Sequence, residues 1–159
     1  PVWLAEPEAL TARRFQWTST LVEDKDVLIQ PRGAAAARSL AALEGQRIGA
    51  IRGYVYPELQ RLVDAGRLLR DDTHTIESNL AKLRAGRLYG AIVNEVNFRY
   101  LNKTEPALTA ALQQSLTISS FALSCAVSRL SSLPFDRIEA AVRALVKRGE
   151  LARIYARYE

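Results

Sequence analysis

The segment Gln46–Leu59, QRIGAIRGYVYPEL, constrains the fold more than any other part of the chain. Arg47 to Ile51 is apolar and too short for a helix, and Gly53 bounds it, so it reads as a buried strand. Tyr54 to Pro57 then enters a helix that carries Leu59, Leu62 and Val63 on one face and stops at Gly66. The same grammar repeats downstream. A short strand near Leu68–Leu69 and a polar stretch from Asp72 to Thr75 lead to a helix over 76–85. Thr75 is its N-cap, Leu80 and Leu83 point inward, and Gly86 ends it. Gly90 to Val93 is the next buried strand, and Asn94 to Leu101 opens a helix with Val96, Phe98 and Tyr100 partly buried. Strands alternating with helices predict an α/β fold with a mainly parallel sheet. Ligands of such sheets sit beyond the carboxyl ends of the strands, which is where Arg52–Tyr56 and Asn94–Glu95 fall. Backbone N–H groups at the helix start beside Arg52 predict a site for an anionic group.

The flanks are less regular. Val2–Ala5, Phe15–Thr20 and Val27–Gln30 read as strands, with a turn or short helix from Pro7 to Arg14. Ser39 caps a short helix to Leu43, and 116–127 holds the return strand or strands. Phe135 to Arg148 spaces Ile138, Val142, Leu145 and Val146 as a helix and ends at Gly149, and Leu151–Tyr158 is a second helix.

At 159 residues and 48% apolar composition the chain can bury a real core, and no apolar run reaches the length of a membrane span. The net charge of +5 is spread so that no basic run exceeds two residues, which predicts a solvated basic surface and no nucleic-acid partner. Cys125, the single cysteine, sits in an apolar strand pattern and reads as a buried, inert thiol. His74 stands alone in a polar loop, so neither a metal nor a cofactor is expected. Paired catalytic carboxylates, Ser–His or Cys–His constellations and Gly-rich phosphate loops are missing, which predicts a protein that is not an enzyme.

The stretches Phe15–Ile29, Gln46–Leu59, Asn79–Glu95 and Gly149–Tyr158, taken in this order, resemble the extracellular solute-binding proteins of the polar amino acid type, family 3, with the type II periplasmic binding fold. The resemblance implies two α/β lobes. Residues 1–26 would be the remnant of lobe I and the hinge strand, 27–117 lobe II, and 118–159 the return strand and C-terminal helices of lobe I. It also implies strand–helix–strand–helix units before Pro1, roughly 60 residues, and hence a processed or truncated chain whose lobe I is incomplete. Apolar surface at Trp3, Phe15 and Trp17 would then be exposed unless the absent segment or a domain-exchanged second copy covers it.

By the same resemblance the chain binds a small polar solute in an interlobe cleft without catalysis, in the periplasm, and delivers it to an ABC transporter permease. The alternatives are an extracytoplasmic sensor domain of a membrane receptor, or a degenerate or dehydratase-like relative. The implied ligand-binding residues are Trp17, Thr18, Arg52, Gly53, Tyr54, Tyr56 and Asn94. Trp17 reads equally as core, the tyrosines as helix packing and Asn94 as a helix N-cap. Two family features differ. The Arg that clamps a ligand carboxylate falls at Ala9 or Thr11, and the Asp that meets an ammonium is replaced by Asn94, with Glu95 beside it. Arg52 and the amides of Gly53 and Tyr54 then favour a neutral polar or anionic solute, with Arg52→Ala costing a carboxylate ligand about 1.5–3 kcal/mol.

Overall fold

The computed structural model describes residues 14–157. The strand expected at Val2–Ala5, Trp3, and the positions Ala9 and Thr11 lie outside them. The described chain forms two compact units, one of residues 25–120 and one of residues 14–24 with 121–157.

The larger unit is built on a five-stranded sheet. Its strands are β2 (Val22–Pro31), β3 (Arg47–Ile51), β4 (Leu69–Thr73), β5 (Gly90–Asn94) and β6 (Leu112–Leu123), in the order β4-β3-β5-β2-β6. The expected parallel arrangement is found in β4-β3-β5. There Ile48 pairs with both Arg70 and Gly90. β2 joins β5 antiparallel, with Asp26 opposite Asn94 and Leu28 opposite Ile92. Hydrogen bonds from Arg32 to Ala111, Ser115 to Leu28 and Ser119 to Asp26 run in opposite senses along β2 and β6, so that pair is antiparallel too. The sheet is therefore mixed around a parallel centre.

Helices α1 (Pro57–Asp64), α2 (Ile76–Arg84), α3 (Glu95–Thr104) and the single turn α4 (Pro106–Thr109) cover both faces. Alternation along the strands divides the core in two. Val27, Ile29, Ala91 and Val93 pack with Leu80, Leu83, Phe98 and Leu101 on one face. Leu28, Ile48, Ala50 and Ile92 pack with Tyr56, Leu59 and the 3-10 turn Leu40–Leu43 on the other. Phe98 and Leu101, three apart, take the inward face of α3, which turns Tyr100 outward instead of leaving it half-buried. β4 begins at Leu69 and extends through Thr73, so Asp71 and Asp72 are strand residues. Their charges are met by Lys82 (2.7 Å) and Arg70 (2.7 Å), which is how a polar run sustains a strand.

Two glycines permit close packing, Gly49 against α2 and the loop after it and Gly90 against the neighbouring strand β2. A Cβ on Gly49 would stand 2.7 Å from Leu88 Cδ1 and 2.8 Å from Asn79 Oδ1, and one on Gly90 would stand 2.7 Å from Leu28 Cδ1. Gly53, read from sequence as the point of close backbone approach, has open space around it and instead supplies φ +81° to the turn after β3. Asn79 is fully buried on α2 and its Nδ2 donates to the Ala50 carbonyl at 2.9 Å, tying that helix to the end of β3.

In the smaller unit β1 (Phe15–Trp17) pairs antiparallel with β7 (Ala126–Ser128), and α5 (Phe135–Lys147) and α6 (Glu150–Tyr155) follow. The Ser19 N–H donates to the Glu139 carboxylate at 2.9 Å, fixing α5 to the segment after β1. Val142 is buried while Leu145 and Val146 are exposed, and Leu130 is 95% exposed. Phe15 is half-buried and Trp17 is 44% exposed. Cys125 is exposed rather than buried, because it occupies the bend between β6 and β7 and not the middle of a strand.

Gly49→Ala is expected to lower unfolding stability by about 1–3 kcal/mol, since Leu88 and Asn79 fill the volume the new methyl needs. Urea denaturation followed by circular dichroism checks this. An unchanged midpoint would mean that helix and sheet are not in the close contact described.

Candidate functional site

The turn after β3 is set by a side chain far away in sequence. Arg70 on β4 donates through Nη2 to the carbonyls of Ile51 (3.0 Å) and Tyr54 (2.8 Å), and through Nε to Asp72 (2.7 Å). Its guanidinium carbon also lies 5.5 Å from the Tyr56 ring centroid, within cation–π range. Only a planar fork of several N–H groups serves all these partners from one residue. The turn is closed further by the Tyr54 N–H, which donates to Ile51 O at 3.1 Å. Tyr54 consequently lacks the free amide that an anion site at this helix start requires. The Arg52 N–H is likewise spent, on Thr73 O at 2.8 Å.

Beyond the carboxyl ends of β3, β4 and β5 lies a cavity of about 250 Å³. Tyr54 and Tyr56 line it from the turn after β3, His74, Thr75 and Glu77 from the β4–α2 connection, and Asn94 and Asn97 from the start of α3. Asp26 of β2 completes the wall. The position has a topological cause. From β3 the chain crosses by α1 to β4 on one side, and from β4 by α2 to β5 on the other, so a crevice opens between β3 and β5.

Of the residues expected from sequence, Tyr54, Tyr56 and Asn94 meet at this cavity, whereas Arg52 and Gly53 are exposed and do not line it. Tyr56 is 5% exposed, its ring part of the core on the α1 face. Burial pushes its phenol up to about 12, with lesser opposing influences from the Ile51 backbone and Arg70 and a reinforcing one from Asp26. Asn94 serves as the N-cap of α3, its Oδ1 accepting from the Asn97 N–H at 3.4 Å, while it also faces the cavity. Glu95 turns away to Arg99 (3.3 Å) and Gln114 (3.1 Å). Trp17 and Thr18 belong to the smaller unit. Thr18 is buried and its hydroxyl donates to Ser19 O and accepts from the Cys125 N–H, both at 3.0 Å, so it closes the β1–β7 junction.

Asp26 and Arg70 were not singled out by sequence reasoning. Asp26 acts through Asn94 and Ser119 on the two strands flanking β2, and Arg70 through carbonyls at the end of β3 and in the turn after it, 19 and 16 positions earlier, and local spacing carries no sign of either. His74 is exposed at the cavity rim, and among the described residues no group of three or more His, Cys, Asp or Glu is placed to hold a metal ion.

Two outcomes are expected here. Arg70→Ala should cost about 1–3 kcal/mol of stability, and Arg70→Lys should recover part of it, because an ammonium cannot reproduce the fork. An Arg70→Lys variant as stable as the parent would show that charge alone matters. Above pH 10 an unfolded tyrosine ionises while folded Tyr56 holds its proton, so stability should fall as pH rises from 10 toward about 12. Tyr56→Phe should flatten that fall and remove the last-titrating phenol from a spectrophotometric titration.

No protein-family model and no curated protein sequence matches the chain. Solved structures do. The GluR0 ligand-binding core in complex with L-glutamate superposes with a TM-score of 0.79 at 15% identity, over 97% of this chain and 68% of its own. The amino acid ABC transporter substrate-binding protein AbpA from Streptococcus pneumoniae, bound to L-arginine, gives 0.74 at 15% identity over 96% and 64%. A histidine kinase sensor domain with similarity to periplasmic binding proteins gives 0.72 at 21% over 92% and 64%. The chain spans about two thirds of the length of these structures. It has the α/β fold of the type II periplasmic-binding-protein class.

Proposed function

We propose that the chain is a non-catalytic solute-binding module that takes a small polar molecule at the cavity formed by Tyr54, Tyr56, Thr75, Asn94 and Asp26. The observation that carries this reading is the placement of that cavity beyond three parallel strand ends, at the crevice where the connections diverge. Its lining suits the task. Two phenols, two amides and a hydroxyl orient a polar solute, while Ile51, Ile92 and Val93 supply apolar floor. The domain division proposed is 1–26, 27–117 and 118–159.

The module works outside the cytoplasmic membrane as the solute-binding component of an ABC importer, with the permease as its partner. The fold it shares with AbpA supports this. The described residues contain no helix long and apolar enough to cross a membrane. A sensor role rests on a specific observation too, the likeness to a histidine kinase sensor domain. A membrane-spanning segment followed by a kinase region in the full gene would decide for the sensor.

Binding is tested on the full chain by thermal shift and by chemical-shift perturbation, with L-arginine, L-glutamate and a panel of small polar solutes. A ligand at 100 times its dissociation constant should stabilise the fold by about 2.7 kcal/mol. The perturbed resonances should belong to Tyr54, Tyr56, Thr75 and Asn94. Tyr54→Ala should then weaken binding by about 1–2 kcal/mol without changing the fold. Perturbations confined to other surfaces, or none at millimolar concentration, would overturn the proposal.

A further inference from the structure

We propose that the outer edge of β6 in the larger unit pairs with the same edge of a second copy of this chain. The two strands run antiparallel about a symmetry axis at Thr117, so that the sheets of both copies continue as one. The proposal stands independently of the solute-binding reading.

The two edges of the sheet are unlike. β4 closes one side with five residues, and its charged members Arg70, Asp71 and Asp72 are tied into ion pairs with Lys82, Arg47 and one another. A short, charged edge resists the addition of a further strand. β6 closes the other side with 12 residues, more than any other strand of the sheet, and it contains no charge, proline or glycine. No charged residue occurs anywhere between Glu105 and Arg129. Among the described residues β2 is its only strand neighbour. The outer side of such a strand presents a row of backbone N–H and C=O groups that another extended backbone can match. Its side chains leave that side open. Gln113 and Ser115 donate to the β2 carbonyls of Pro31 (3.3 Å) and Leu28 (3.2 Å), Ser119 donates to Asp26 (3.3 Å), and Thr117 is exposed.

The sequence of the edge selects the occupant. Ser115-Leu-Thr-Ile-Ser119 has the same order of residue types read in either direction. Antiparallel pairing about Thr117 therefore sets Thr117 opposite Thr117, Leu116 opposite Ile118 and Ser115 opposite Ser119, the self-complementarity that a symmetric interface requires. Opposed Thr–Thr and Ser–Ser pairs favour a sheet. Leu116 and Ile118 already pack in the core on the α1 face, and their pairing continues that core across the seam. Symmetry also places each charge of an edge near its own copy. The same pairing at β4 would set Asp71 against Asp71, whereas β6 carries no such penalty. Leu112 packs in the opposite core, so the alternation of β6 breaks between it and Leu116 and confines regular pairing to the residues around Thr117.

Sedimentation velocity on the full chain, from micromolar concentrations up to about 500 µM, tests the proposal. A concentration-dependent dimer is expected, and a weak one because the seam is short. Thr117→Lys and Thr117→Glu each set like charges opposite one another and should weaken dimerisation about 5- to 10-fold. An equimolar mixture of the two variants should dimerise at least as well as the parent, since the facing pair is then opposite in charge. Thr117 is exposed, so both variants should melt like the parent, which circular dichroism checks. Leu69→Lys on the β4 edge and Ile154→Lys in the smaller unit, both at exposed positions, should leave dimerisation unchanged. A monomer at every concentration would overturn the proposal and leave the edge to an extended segment of another protein. A dimer indifferent to Thr117→Lys, a mixture no better than either variant alone, or a dimer lost with Leu69→Lys or Ile154→Lys would overturn it as well.

Discussion

The larger unit depends on how closely its second helix approaches β3, the first strand of the parallel core. Gly49 leaves room on β3 for Leu88 and for the amide of Asn79, and Asn79 spends its Nδ2 on the Ala50 carbonyl. A buried carbonyl near a strand end without a partner would cost about 1–3 kcal/mol. The amide meets that need and locks α2 in height against the sheet. The consequence reaches the cavity, because Thr75, Ile76 and Glu77 at the start of α2 form one of its walls. Gly90 plays the matching part toward Leu28, so β5 can lie between β3 and β2 with both faces covered.

Arg70 fixes the second wall by a different device. The turn from Ile51 to Tyr56 is anchored in the core by the Tyr56 ring, but Arg52, Gly53 and Val55 between them are exposed and bury little. One guanidinium bridges two of its carbonyls, stacks on Tyr56 and is itself neutralised by Asp72. The turn is thus held by polar contacts where packing is thin. The same arrangement spends the groups that an anion would need. The Tyr54 amide closes the turn, and Arg52 lies outside the cavity.

The third wall combines two residues that sequence treats as unrelated. Asn94 is legible as a helix N-cap from the strand that precedes it, and it performs that role. Asp26 lies 68 positions earlier in a run of alternating charges, where nothing local distinguishes it from Asp24 or Glu23. Only the antiparallel pairing of β2 with β5 brings it beside Asn94. An acid expected next to Asn94 in sequence, Glu95, is carried away by the helical turn to Arg99 and Gln114.

Local order alone determined much of the centre. The strand at Arg47–Ile51, the capped helix opened by Thr75, the buried strand from Gly90 and the helix from Phe135 were all legible. Each is specified by periodicity, a cap or a glycine within a few residues, and such signals act over one or two turns of chain. Tertiary structure decided the rest. It set the antiparallel placing of β2 and β6, the strand character of Asp71–Thr73 and the exposure of Cys125. It also decided which charged side chain faces the cavity. These features depend on pairing between residues tens of positions apart, through hydrogen bonds and salt links whose partners the local pattern does not name.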